Sequence, residues 1–192
     1  FFGTLYNTYS FFALYANVDG FDNSQPQIPV EKRPEIDRWV ISLLNTLIKE
    51  VDSAFADYEP TKAARAINDF VNDNLSNWYV RLNRKRFWGG EMNEDKLSAY
   101  QTLYTCLETV AMLMAPVSPF IADKLYMDLT SVARGEETSV HLALFPEVDE
   151  SAIDKVLEQR MKIAQDITSM VLALRRKVNI KVRQPLSTLM IP

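Results

Sequence analysis

The chain has 192 residues, 47% of them hydrophobic, and a formal charge of −4. That content supports one domain with a packed core, and a low glycine count favours helices over strands. A single cysteine, Cys106, excludes an internal disulfide framework and a cysteine-based zinc site, and makes the cytosol the natural compartment.

The first helix is expected over residues 1 to 18, where Phe2, Leu5, Tyr9, Phe12 and Ala16 recur at helical spacing. This opening is apolar but lacks the basic start of a signal peptide. Asn7, Thr8, Ser10 and Asn17 argue against a membrane span. Gly20 and the Pro26/Pro29 segment end it. A second helix follows Pro34 to about Asp57, burying Ile36, Trp39, Val40, Leu43, Leu44, Leu47, Ile48 and Val51. Pro60 opens a third, which runs to about Phe87 and is stopped by Gly89-Gly90.

That third helix holds the most informative stretch. Arg81, Arg84, Lys85 and Arg86 fall within six residues, no acid lies among them, and Trp78, Tyr79, Phe87 and Trp88 flank them. Guanidinium groups pair with phosphates, and aromatic rings stack on unpaired bases. A basic run at a helix C-terminus also complements the helix dipole, so a solvated helix end stands as the plainer reading. At about 100° per residue, Ala63, Ala66, Ile67, Phe70 and Val71 share one face, and Leu75, Trp78 and Leu82 continue a drifting apolar stripe. The direction of the early apolar face is taken over by Asn77, Arg81, Arg84, Lys85 and Trp88. This predicts a helix that leaves its bundle and offers its end to an anion. Trp78 falls nearer the core stripe, and Trp88 falls with the cations, as a stacking ring or as a plug against the next helix.

Asn93 is the expected N-cap of the fourth helix, with Glu94 and Asp95 in its first turn. Leu97, Tyr100, Leu103, Tyr104, Leu107, Val110 and Leu113 give its apolar side, and Cys106 reads as a small core residue. Pro116 and Pro119 break it. A fifth helix, capped by Ser118, runs from Pro119 to about Leu129. Residues 130 to 150 are polar, with Val140, Leu142, Leu144 and Phe145 as an apolar touch. Ser151 with Asp154 resembles a capping box for a sixth helix ending near Lys177. Beyond it, Ile180, Val182 and Leu186 alternate with Lys181 and Arg183, the period of a strand. The fold expected is all-α, an antiparallel bundle of about six helices with a C-terminal strand-like extension. The parts are a bundle over 1–150, a long helix over 151–179 and the start of a junction segment over 180–192. The chain opens in mid-pattern on Phe1-Phe2 and closes on Ile191-Pro192, so it reads as a fragment of a longer protein.

Arg175, Arg176, Lys177, Lys181 and Arg183 form a second basic cluster, again at a helix end. Basic patches on an acidic chain localise an anionic partner. Catalytic patterns are missing. His141 is the only histidine and has no nucleophile or orienting acid patterned beside it. No glycine-rich phosphate loop occurs, and Asp69 with Asp73 reads as an exposed face rather than a metal pair.

Three stretches carry a family resemblance. Leu75 to Trp88 (LSNWYVRLNRKRFW) resembles the signature of the anticodon-binding domain of isoleucyl-tRNA synthetases. Met114 to Asp123 (MAPVSPFIAD) is similar to a segment shared by the class I synthetases for isoleucine, valine and leucine. Lys181 to Leu186 (KVRQPL) is similar to the stretch where the isoleucine enzymes leave the bundle. Val140-His141-Leu142 followed by Phe145-Pro146 fits the family's linker, and Glu59 to Ala63 resembles the eukaryote-like branch. The resemblance implies a chain that binds the anticodon stem and loop without catalysis of its own. The parent would be an ATP- and magnesium-dependent isoleucine-tRNA ligase, whose catalytic and editing motifs are absent from this chain. The partners implied are tRNA(Ile) and the parent's catalytic domain in cis, with no membrane, in a cytoplasmic monomer. The tRNA-binding residues so implied are Asn7, Asn77, Trp78, Arg81, Arg84, Lys85, Arg86, Trp88, Lys177, Lys181 and Arg183, with no metal ligand or cofactor in the chain itself. Asn7 matches the asparagine of a Trp-Asn element in related first helices, whereas Ser10 stands where valine-type relatives often carry arginine. A rival reading is a protein–protein module that uses the aromatic face from Phe1 to Phe12.

Overall fold

The computed structural model describes residues 1–134, 138–188 and 190. Among them lie six helices and no strand. They are α1 (Phe2–Asp19), α2 (Glu35–Ala56), a composite α3, α4 (Glu94–Met114), α5 (Pro119–Arg134) and α6 (Lys155–Lys177). α3 is continuous but of three parts: α-helical Pro60–Asp69, π-helical Phe70–Val80 and α-helical Arg81–Phe87. Phe1–Ile153 forms one unit and Asp154–Pro192 another, and each is described by itself.

In the first unit α4 is the central post. It is buried on nearly every side, including Ser98, Gln101 and Thr102. That goes beyond the single apolar side expected from periodicity. A helix hidden all round must still satisfy its polar groups, and neighbouring loops supply the partners. Gln101 accepts from the Ile28 amide and donates to the Pro26 carbonyl, 3.0 Å each. Thr102 accepts from the buried Arg33 guanidinium at 2.9 Å. The proline-containing loop after α1 is thus pinned onto α4. Burial pushes the Cys106 thiol well up, which suits an inert core residue.

α2 packs on α3 and α4, α1 on the π segment and α4, and α5 on α4. Asn93 caps α4 as expected, its Oδ1 accepting from the Lys96 amide at 2.8 Å. The polar run before the second unit is anchored at both ends. Asp123 accepts from Ser139 Oγ and the Val140 amide, and Asn45 Oδ1 accepts from the Asp149 amide at 2.8 Å.

Three expectations are corrected. The expected capping box is displaced: Asp149 accepts from Ser151, and Asp154 is itself the N-cap of α6, accepting from the Leu157 amide at 2.9 Å. The helix therefore starts at Lys155. The strand-like run after α6 is not a strand among its described residues; 189, 191 and 192 lie outside them. Period-2 hydrophobicity makes a strand only where another strand accepts its hydrogen bonds. Here the segment turns instead, and Arg175 Nη1 gathers the carbonyls of Lys181, Val182 and Gln184 at 2.8, 3.3 and 2.9 Å. The third correction is the phase of α3, and it decides the site. No described helix is long and apolar enough to cross a membrane.

Candidate nucleic-acid interface

Extrapolation at 100° per residue carries the buried face of α3 through Leu75, Trp78 and Leu82. The structure buries Leu75 as expected but then turns to Tyr79, Asn83 and Phe87, so that Val71, Leu75, Tyr79, Asn83 and Phe87 follow one another at four-residue steps. In a regular α-helix each four-residue step drifts by about 40°, which would swing Phe87 far from Val71. The i→i+5 bonding of the π segment takes up the extra residue per turn and keeps the stripe aligned. α3 therefore does not leave the bundle. Phe87 is fully buried at its end, edge-on to Phe11 at 5.2 Å and to Tyr100 at 4.9 Å between ring centroids.

The same phase puts the cations outward. Arg81, Arg84 and Lys85 are exposed, as is Asn77, and none of the three cations is in an ion pair among the described residues. Leu82, expected on the apolar stripe, is 56% exposed between them. Trp88 leaves the helix in an extended conformation and is 52% exposed. Trp78 is half-buried and Asn7 is exposed on α1.

Arg86 is different. Its side chain is 14% exposed and makes a bidentate pair with Asp37 on α2, whose carboxylate is fully buried. Nη1 donates to Asp37 Oδ1 at 2.6 Å and Nη2 to Oδ2 at 2.9 Å. Nε donates to Asp95 Oδ2 at 3.0 Å and Nη2 to the Asp95 carbonyl at 2.8 Å. Asp37 also accepts from Tyr79 Oη at 2.9 Å and Ser98 Oγ at 2.6 Å. Burial opposes the charge on Arg86, but Asp37 outweighs it and holds the guanidinium more firmly protonated than usual. Burial likewise raises the Tyr79 phenol, with the Asp37 charge adding to it. The geometry gives Arg86 the work of joining α2, α3 and α4, with its donors turned inward. Asp37 was not singled out from sequence. Its one legible signal is an acid among the apolar residues of the buried side of α2, which must have a cationic partner somewhere.

The second unit is simpler. Lys177, Lys181 and Arg183 are exposed around the end of α6, as expected for a basic cluster. Arg175 is taken up by the carbonyls it gathers. Of the aromatic face on α1, Phe12 is buried against Phe21, Tyr100 and Tyr104, and Phe11 packs on Phe87. Phe2 and Tyr6 remain exposed. His141 is exposed, and no described cluster of histidine, cysteine and carboxylate side chains could hold a metal ion.

The family model of the anticodon-binding domain of tRNA ligases matches residues 37–190. Curated relatives match across the whole chain. Isoleucine–tRNA ligase of Bacteroides thetaiotaomicron is 73% identical over 100% of this chain and 17% of its own length. That of Porphyromonas gingivalis is 70% identical over 100% of this chain and 16% of its own. That of Thermus thermophilus is 45% identical over 100% and 18%. The chain thus spans about a sixth of these relatives. All three are bacterial, and they lend no support to the eukaryote-like affinity expected from Glu59 to Ala63.

Proposed function

This chain belongs to the anticodon-binding domain family of tRNA ligases, and from that premise we propose that it grips the anticodon stem and loop of tRNA(Ile) within an isoleucine-tRNA ligase. Aminoacylation, with its ATP and magnesium, falls to a catalytic domain elsewhere in the parent chain, in the cytoplasm. The single observation that carries this reading is the outward row of Arg81, Arg84 and Lys85 beside the exposed Trp88, on a chain of net charge −4. Unpaired cations beside an exposed ring suit phosphates and an unstacked base. In this reading the exposed Asn77 adds hydrogen bonds, and Asn7 and Trp78 are secondary contacts.

Lys177, Lys181 and Arg183 would add contacts from the second unit. Each phosphate contact contributes about −0.7 to −0.9 to the slope of log affinity against log salt. Arg81, Arg84 and Lys85 alone therefore give a slope of roughly −2 to −3, and engagement of both clusters roughly −4 to −5. Fluorescence titration of the chain with tRNA(Ile) at several salt concentrations measures it. A slope near zero, or unchanged affinity after Arg81→Glu with Arg84→Glu, removes the reading.

The catalytic domain in cis is the second partner proposed. Phe2, Tyr6 and Phe120 are exposed and, with Leu5 and Ile121, line an apolar groove of about 390 Å³ between α1 and α5. Exposed apolar patches of this kind mark contacts with other protein surface.

A further inference from the structure

The turn that carries Trp88 away from α3 has little backbone structure of its own. Gly89 and Gly90 both sit in the left-handed region, at φ 68° and 77°, where a side chain would be strained. Among the described residues, no backbone–backbone hydrogen bond outside the helices involves residues 89–92. The tie comes from a side chain one turn into α4. Lys96 Nζ donates to the Gly89 carbonyl at 3.2 Å and to the Gly90 carbonyl at 3.4 Å. It also pairs with Asp19 Oδ2, at the end of α1, at 2.6 Å. An ammonium has three donors, and here are three acceptors. The Lys96 side chain is 3% exposed, a rare depth for lysine unless it is paired. Asp19 is held in turn by the Tyr100 hydroxyl, whose ring also packs on Phe87.

We propose that Lys96 is a positioning residue for the tRNA-binding edge: its buried ammonium fixes the Gly89-Gly90 turn to α1 and α4, and so fixes where Trp88 is presented. This rests on the reading of the α3 end as a tRNA contact. Lys96 itself is covered and does not reach RNA. Its effect is preorganisation: the turn is already ordered before the ligand arrives, so binding does not have to order it. The neighbouring Asp37–Arg86 pair anchors the helix itself, whereas Lys96 anchors the segment just beyond it.

The distinguishing measurement is affinity for tRNA(Ile) as a function of salt, made on the whole chain and on Lys96→Met, Lys96→Arg, Asp19→Asn and Arg84→Ala. A turn left in its competent geometry about a tenth of the time weakens binding about tenfold. Lys96→Met is expected to show that loss with the wild-type salt slope, because no phosphate contact is removed. Lys96→Arg keeps the charge and restores most of the affinity. Arg84→Ala shifts the slope toward zero by about 0.7 to 0.9. In a background carrying both Trp39→Phe and Trp78→Phe, which leaves Trp88 as the one tryptophan, fluorescence anisotropy falls in Lys96→Met, reporting a looser turn. Should Lys96→Met lose its cooperative melting, Asp19→Asn carries the same expectation with the lysine in place. Wild-type affinity in both Lys96→Met and Asp19→Asn overturns the inference, and so does a Lys96→Met slope reduced like that of Arg84→Ala. A wild-type chain that binds no tRNA at any salt removes the functional reading itself, and this inference with it.

Discussion

Asp37→Ala is the substitution with the largest expected consequence. The carboxylate is fully buried and accepts from two Arg86 nitrogens, the Tyr79 hydroxyl and the Ser98 hydroxyl. Its removal leaves a nearly buried guanidinium with only its Asp95 and Asn83 partners, takes the acceptor from the Ser98 hydroxyl, and leaves the Tyr79 hydroxyl only the Ala99 carbonyl at 3.4 Å. Breaking a buried pair by removing one partner costs about 3–5 kcal/mol, because the other charge stays behind. The surviving Asp95 contacts favour the lower end, about 3 kcal/mol. For a chain of this size each kcal/mol moves the melting temperature by about 2–4 °C, so a fall of about 6–12 °C is expected. Urea unfolding followed by circular dichroism should give a lower midpoint with an unchanged slope against denaturant. Replacing both partners, Asp37→Leu with Arg86→Met, removes the orphaned charge and should recover most of the loss. Two results would refute the reasoning. One is an Asp37→Ala cost below about 1 kcal/mol, the value of an exposed pair. The other is an Arg86→Met variant of normal stability whose tRNA salt slope falls like that of Arg84→Ala, which would return Arg86 to the RNA.

Arg84→Ala and Lys85→Ala should weaken cognate and noncognate tRNAs alike, since phosphate contacts position without discriminating; binding assays against both kinds of tRNA check it. Trp88→Ala should cost about 1–3 kcal/mol of binding, the value of a base stacked on an aromatic ring, and leave the melting temperature nearly unchanged. Lost stability with discrimination intact would make Trp88 a structural plug instead. Asp19 titrates below its ordinary value of 3.8: burial opposes this, but the Lys96 and Tyr100 hydrogen bonds and the Lys96 charge outweigh it. A depressed carboxylate contributes stability that is complete above its unfolded value and lost as pH falls through its folded value. Acid melts below about pH 4 should therefore be shallower in Asp19→Asn than in the wild type, and identical acid limbs would contradict the pairing.

Sequence by itself determined the helices and most of their limits, because their signals are local. Pro60 opening α3, Asn93 capping α4, Gly89-Gly90 stopping α3 and the apolar spacing of α2 each act within a turn or two of chain. It also located the basic edge, since Arg81, Arg84 and Lys85 are contiguous charges on an acidic chain. What it could not decide was where those side chains point. The π segment resets the phase of α3 by accumulation over Phe70–Val80, so an angle extrapolated from Ile67 is wrong by Trp78 and Leu82. Nor do charges carry their partners with them. Arg86 belongs with Asp37, 49 residues away, and Lys96 with Asp19 and two glycine carbonyls, and those pairings exist only once α1, α2 and α4 are packed. The alternation after α6 makes the same point from the backbone: with no second strand among the described residues to receive its hydrogen bonds, a strand-like pattern takes the turn that Arg175 offers.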